Sequence, residues 1–113
     1  MFVIDLKYYG QAFSTRERAN ELIAGAVQFL APIPPLMVTV DLEGVVAVSY
    51  SFADELIDQL ERAVTDVGAG EARLTNASAP VLTVFQTVLN RRRDLLGQRR
   101  AVENSPKVLI GAA

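Results

Sequence analysis

The chain has 113 residues, half of them hydrophobic, and a net charge of −2 at pH 7, which are the size and composition of one folded domain. It contains neither cysteine nor histidine, so disulfides, histidine-based catalytic triads and the usual zinc sites are excluded. We expect a cytoplasmic protein, because no apolar run reaches the roughly 18 residues of a membrane span and the N-terminus lacks the features of a signal peptide.

The first third of the chain predicts a strand followed by a helix. Residues 2–8, FVIDLKY, are rich in β-branched and aromatic side chains and mostly alternate in polarity, which is typical of a strand. A helix is predicted over residues 14–31, because Ser14 is a good N-cap, Glu17 follows at capping-box spacing and apolar residues recur at helical intervals. A proline-rich segment ends this helix.

The middle third predicts a buried strand and a second helix. Residues 36–42, LMVTVDL, form a nearly continuous apolar run, as expected for a parallel strand buried on both faces. Residues 45–48 add a short apolar stretch. Ser51 is the predicted N-cap of a helix over 51–67. The buried stripe of this helix is predicted to comprise Phe52, Leu56, Leu60, Ala63 and Val67.

The last third predicts a weaker strand over residues 71–76 and a helix over 79–97. For the VLI segment near the C-terminus, an edge strand and a disordered end are both open. Because strands and helices alternate along the chain, we predict an α/β fold with a small sheet of three to four strands and three helices packed against it. We assign residues 1–100 to a single domain and residues 101–113 to a C-terminal tail.

Four carboxylates are the main candidates for chemistry. Asp41, Glu43, Asp54 and Glu55 fall near the end of the second predicted strand and the start of the second helix. A small hydrolase or transferase using Asp41, Glu43 and Asp54 is one hypothesis, although helix starts favour acidic residues for electrostatic reasons alone. The chain has no glycine-rich phosphate loop and no dinucleotide fingerprint. We therefore predict that it is not an enzyme and that it holds no cofactor and no metal.

The charges are unevenly distributed along the chain. Residues 1–90 carry five basic and eleven acidic side chains, whereas residues 91–113 carry six basic and two acidic ones. The alternative function is therefore an accessory module that binds nucleic acid or an anionic surface through the Arg91–Arg100 segment. We favour a solvated helix end over this alternative, because the consecutive arginines Arg91, Arg92 and Arg93 point in different directions around a helix. In addition, no aromatic side chain lies among the arginines to stack on bases.

Two neighbouring motifs resemble a known family. Residues 38–45, VTVDLEGV, and residues 49–56, SYSFADEL, resemble the bacterial STAS-like domains of unassigned function, which show a DFxGV…SxSFADEL signature. The resemblance covers about residues 1–97. More distantly, the chain is similar to the STAS domains of anti-sigma-factor antagonists and of sulphate transporters. In those domains a loop that usually reads Asp-Ser-Ser-Gly carries a serine that accepts phosphate from a partner kinase.

The resemblance implies a regulatory module that binds a partner protein and is controlled by phosphorylation. It places Ser51 at the phosphoacceptor position, with Ser49, Tyr50 and Phe52 at the other positions of the loop. The expected partner is an ATPase-fold kinase or an anti-sigma-like regulator, and both a monomer and a homodimer are open. The partner-binding residues are predicted to be Ser49, Tyr50, Ser51, Asp54 and Glu55.

Overall fold

Strands and helices alternate along the chain in the computed structural model, which describes residues 2–27, 36–66, 70–99 and 108–110. The strands are β1 (Phe2–Asp5), β2 (Ala12–Phe13), β3 (Leu36–Asp41), β4 (Ala47–Val48), β5 (Gly70–Thr75) and β6 (Val108–Ile110). The helices are α1 (Arg16–Val27), α2 (Tyr50–Asp66) and α3 (Ala79–Arg99), and a 3-10 turn over Leu6–Tyr8 follows β1. The predicted α/β class is confirmed.

Four strands form one parallel sheet in the order β1-β3-β5-β6, and β2 and β4 form a separate parallel pair. Parallel neighbours require crossover connections, which are almost always right-handed. In this sequential strand order, right-handed crossovers carry α1, α2 and α3 to the same face of the main sheet. The VLI segment forms the edge strand β6, so residues assigned to the tail contribute to this sheet.

Among the side chains that the structure describes, the main sheet is buried on one face only. Alternate residues of β1, β3 and β5 are buried beneath the helices, namely Ile4, Val38, Val40, Ala72 and Leu74. On the other face Val3 is 47% exposed and Met37 is 37% exposed, and Thr39 is half-buried. The prediction that the second strand is buried on both faces is therefore wrong, because buried and less buried side chains alternate along it and the apolar Met37 on the open face obscures this alternation in the sequence.

Helix α2 lies at the centre of the helical layer and packs against α1, α3 and the sheet. Its buried side chains are Phe52, Ala53, Leu56, Ile57, Leu60 and Val64. The predicted stripe is confirmed at Phe52, Leu56 and Leu60, whereas Ala63 is only half-buried. Val67 lies outside the described residues. The Phe52 ring stacks on Phe13, with 5.0 Å between ring centroids, so the start of α2 is held against β2.

The first two helices are capped by residues other than those predicted. At α1, Thr15 Oγ1 accepts the backbone N–H of Arg18 at 3.1 Å, so the prediction that Ser14 is the cap is wrong. At α2, Ser49 Oγ accepts the backbone N–H of Phe52 at 3.0 Å. Ser51 lies inside the first turn of α2, so the prediction that it is the N-cap is also wrong.

Within the described residues, no helix combines the length and the apolar character needed to cross a membrane.

Candidate functional site

The loops after β1 and β3 run side by side at the carboxyl edge of the main sheet, where open α/β sheets usually bind ligands. Val46 N–H donates to the Gln11 carbonyl at 2.7 Å, and Ser49 N–H donates to the Phe13 carbonyl at 2.9 Å. Gly44 has a φ of 83°, and a Cβ there would lie only 3.3 Å from Lys7 Cβ. Glycine therefore lets the two loops approach each other closely.

Five exposed residues of these two loops and of the first turn of α2 form what we call the loop surface, namely Tyr8, Tyr9, Val46, Tyr50 and Ser51. Tyr8 is 77% exposed, Val46 61% and Tyr50 48%. Arg91 of α3 lies over the Tyr50 ring, 5.4 Å from its centroid, and Lys7 lies 5.6 Å from the centroid of Tyr8. Tyrosine and arginine are enriched at protein–protein interfaces, so this composition is typical of a partner-binding surface.

Two members of the loop surface, Tyr8 and Tyr9, are absent from the predicted partner-binding residues, because Tyr8 falls within the predicted first strand. The structure ends β1 at Asp5 and turns the chain through the 3-10 turn, so both tyrosines project into solvent. Gly10, which follows them with a φ of 149°, indicates a break in the strand, but it lies five residues beyond the observed end of β1 at Asp5.

Ser49 holds the loop surface in place through two hydrogen bonds. Its Oγ donates to the Ser14 carbonyl at 2.8 Å and accepts the Phe52 N–H at 3.0 Å. One side chain therefore joins the segment that precedes α1 to the first turn of α2. This hydrogen bonding gives Ser49 a positioning role, while its predicted contact with a partner stays a prediction.

Ser51 is exposed at the second position of α2. In the part of the chain that the structure describes, no side chain or backbone group hydrogen-bonds to its hydroxyl, because capping is done by Ser49. The free N–H groups and the positive end of the dipole at a helix start favour an anion such as phosphate. The predicted phosphoacceptor is thus accessible, and its modification would break no observed hydrogen bond.

Asp54 pairs with arginines from both flanking helices, and Glu55 pairs with the arginine of α1. Asp54 Oδ2 lies 2.8 Å from Arg16 Nη1 of α1, and Asp54 Oδ1 lies 3.1 Å from Arg92 Nη2 of α3. Glu55 Oε1 lies 3.8 Å from Arg16 Nη1. Partial burial acts to raise the pKa of Asp54, but the hydrogen bond from Arg16 and the charge of Arg92 outweigh it, so the pKa lies below its ordinary value.

Arg92 is directed into the helical layer, so the prediction of a solvated arginine cluster is wrong at this residue. Its side chain is only 18% exposed and contacts Asp54, Asp58 at 3.6 Å and Glu61 at 3.4 Å. These carboxylates share one side of α2 because they are spaced by four and three residues. Arg92 is therefore paired within the protein and does not contribute a free positive charge to the alternative binding segment Arg91–Arg100. The side chains of Arg93, Arg99 and Arg100 lie outside the described residues.

Asp41 and Glu43 have partners different from those of Asp54. Asp41 Oδ1 accepts the Glu43 backbone N–H at 2.9 Å and the Asn76 side-chain amide at 3.1 Å. The Glu43 N–H is the main cause that lowers the pKa of Asp41. Glu43 lies 3.6 Å from Lys7. Among the described residues, no group of three or more acidic side chains is arranged to hold a metal ion.

A shallow cavity of about 270 Å³ lies at the same carboxyl edge, between residues 42–45 and 76–78. It separates the loop after β3 from the start of α3. Asn76 lines it with a φ of 59°, a left-handed conformation that asparagine tolerates better than most residues. The lining is mixed in polarity and offers one carboxylate, that of Glu43.

Comparison with known proteins assigns this chain to no family. No protein-family model matches it, and no curated protein and no solved structure is significantly similar to it. The resemblance to STAS-like domains therefore depends on the two sequence motifs alone.

Proposed function

We propose that this protein is a non-enzymatic regulatory module of the STAS-like type, which binds a partner protein through the loop surface. The observation that carries the proposal is the exposure of Val46 and Tyr50 beside Ser51, whose hydroxyl takes no part in capping. An ATPase-fold kinase or an anti-sigma-like regulator is the partner class that the sequence resemblance implies.

The contacts beneath the loop surface favour binding because they hold it in place before a partner arrives. The Phe13–Phe52 ring stack fixes the start of α2 from below, and Ser49 ties the same turn to Ser14. Loops that are already ordered lose less conformational entropy on association. Tyr50 adds a large contact area with few rotatable bonds, which suits it to be the central contact.

Phosphorylation of Ser51 is the proposed control of binding. The γ-phosphoryl group of ATP would be transferred to Ser51 Oγ by the partner or another kinase, with release of ADP and the hydroxyl proton. The product carries up to about two negative charges. Asp54 and Glu55 lie one helical turn away, but their pairing with Arg16 reduces repulsion of the phosphate. We expect the fold to remain stable when Ser51 is phosphorylated. An apolar or acidic partner surface would not bind next to the phosphate.

The proposal is tested by quantitative affinity capture from the native cell with a matched set of variants. Val46→Asp and Tyr50→Ala alter the loop surface, while Ala24→Asp places the same charge at an exposed position of α1. We expect one partner to be retained by the wild type and Ala24→Asp and reduced at least about tenfold by the two loop-surface variants. Equal recovery of every partner by all baits contradicts the proposal.

A further inference from the structure

One face of the main parallel sheet has no helix packed on it among the described residues. The buried residues of β1, β3 and β5 all point towards the helical layer. The opposite side, which we call the bare face, presents Val3, Asp5, Met37, Asp41, Glu71 and Arg73. Parallel sheets occur almost only with both faces covered by other structural elements. We therefore expect the bare face to be covered by a binding partner.

The bare face has an apolar end and an acidic end. Val3 pairs in register with Thr39, and Met37 lies two residues earlier in β3, so Val3 and Met37 are diagonal neighbours. Asp5 and Asp41 pair in register at the carboxyl ends of their strands.

The charges of the bare face are not balanced within it. Glu71 and Arg73 form an ion pair with each other at 2.8 Å. Lys7, the cation that follows β1, pairs with Glu43 at 3.6 Å. In the described part of the chain, neither Asp5 nor Asp41 forms an ion pair with a basic side chain, so the acidic end is left with an excess of negative charge.

We infer that the bare face binds an amphipathic helix of a partner protein whose apolar side is flanked by lysine or arginine. A helix is the element that covers a parallel sheet in α/β folds. Its apolar side chains would cover Val3 and Met37, and its basic side chains would neutralise Asp5 and Asp41. A second copy of the chain fits less well, because both sides of a two-fold interface would carry the same excess of negative charge.

The probe for this inference is a synthetic helical peptide of leucine and lysine, about 18 residues or five turns long. A matched peptide carries glutamate at every lysine position. Titration of the ¹⁵N-labelled protein is expected to shift the backbone amides of Val3, Thr39 and Arg73 with the lysine peptide only. The amides of Val46 and Tyr50 on the loop surface are expected not to shift, so this surface and the proposed function are tested separately.

Two matched variants provide the second measurement. Met37→Glu adds a negative charge to the apolar end of the bare face, and we expect it to weaken binding of the lysine peptide at least about tenfold. Val46→Glu makes the same change at an exposed apolar residue of the loop surface, and we expect unchanged affinity. Melting temperatures close to wild type for both variants confirm that they fold, as their exposure predicts.

Several results would overturn the inference. These are the absence of lysine-peptide binding, equal affinity for the two peptides, amide shifts centred on the loop surface, or equal losses from Met37→Glu and Val46→Glu. Sedimentation provides an independent check of the occupant. A wild-type dimer that Met37→Glu converts to a monomer would assign the bare face to a second copy of the chain, and that also overturns the inference.

Discussion

The hydroxyl of Ser49 donates a hydrogen bond to the backbone carbonyl of Ser14, which lies 35 residues earlier, at a distance of 2.8 Å. The same oxygen accepts the N–H of Phe52 in the first turn of α2. A single side chain thus connects the starts of two helices at the carboxyl edge of the sheet. The other serine of the motif, Ser51, does not cap the helix, and it is exposed to solvent.

This difference between the two serines predicts that alanine substitution destabilises the protein at Ser49 and has little effect at Ser51. Ser49→Ala removes the cap of α2 and the link to Ser14, so we expect the free energy of unfolding to fall by about 1–2 kcal/mol. Ser51→Ala removes no observed hydrogen bond, and we expect a change within about 0.5 kcal/mol. Urea unfolding of the two variants measures both values. A larger loss for Ser51→Ala than for Ser49→Ala would contradict the assigned cap.

The position of the cap illustrates what the sequence alone can and cannot determine. Ser49 and Ser51 are both good N-cap residues by preference, and the sequence does not distinguish them. The choice is made by Phe13, whose carbonyl accepts the Ser49 N–H at 2.9 Å and so keeps Ser49 paired with β2. That partner lies far away in the chain and belongs to a strand of two residues, which is too short to show a period in the sequence.

The longer elements were predictable because burial imposes a repeat on them. The three helices and the strands β1, β3 and β5 each carry apolar residues at helical or alternating spacing. The loop surface was predictable only in part, since Tyr50 and Ser51 belong to the segment SYSFADEL, which resembles a family signature, but Tyr8 and Tyr9 do not. The ion pairs of Arg92 depend on how α3 packs against α2, and this packing leaves no local signal in the sequence.

Arg92 and Arg91 are adjacent in sequence but are expected to differ in their effect on stability. Arg92→Gln removes the cation that contacts Asp54, Asp58 and Glu61 and leaves three carboxylates facing one another. We expect the free energy of unfolding to fall by about 1–3 kcal/mol, the range for leaving a partly buried charged group without its partner.

Arg91→Gln is the matched control, because Arg91 is exposed. Its contact with the Tyr50 ring is of a kind that contributes about 0.5–1 kcal/mol at exposed sites. Thermal unfolding of the two variants compares them directly. Equal destabilisation would show that Arg92 contributes no more than a surface arginine.

Glu61 predicts a dependence of stability on pH that is opposite in sign to that of Asp54. Burial is the main cause that raises the pKa of Glu61, and it outweighs the charge of Arg92. Among the described residues, one of its carboxylate oxygens, Oε1, is buried without a hydrogen-bond partner. A raised pKa in the folded state means that the ionised carboxylate destabilises the fold. This cost is absent below the ordinary glutamate pKa and is complete above the raised one.

Glu61→Gln is therefore expected to be more stable than wild type at neutral pH, and the advantage should shrink as the pH falls from the raised pKa of Glu61 to the ordinary glutamate pKa. Asp54→Asn is the control with the opposite sign. The pKa of Asp54 is lowered in the folded protein, so Asp54 stabilises above its ordinary pKa, and this contribution is lost as the pH falls through the lowered value. Chemical denaturation across the acidic range measures both differences. A neutral-pH loss of stability in Glu61→Gln would mean that its pairing with Arg92 outweighs burial.

The last prediction concerns the proposed control at Ser51. An acidic side chain near the start of α2 is compatible with the helix dipole, and Arg16 already neutralises much of the charge of Asp54 and Glu55. We therefore expect Ser51→Asp to melt within a few degrees of wild type, a shift that corresponds to less than about 1 kcal/mol for a domain of this size. Its negative charge lies next to Tyr50 on the loop surface, so the partner that Ser51→Ala still binds should be bound at least about tenfold more weakly by Ser51→Asp, a difference of about 1.4 kcal/mol.

Ser78→Asp is the matched control, because Ser78 is an exposed serine that precedes α3 and lies outside the loop surface. Calorimetry with the captured partner measures the affinities, and mass spectrometry of the protein from its native cell shows whether Ser51 carries phosphate. An unmodified Ser51, together with equal affinities of Ser51→Asp and wild type, would make the protein a constitutive adaptor without a phosphorylation switch.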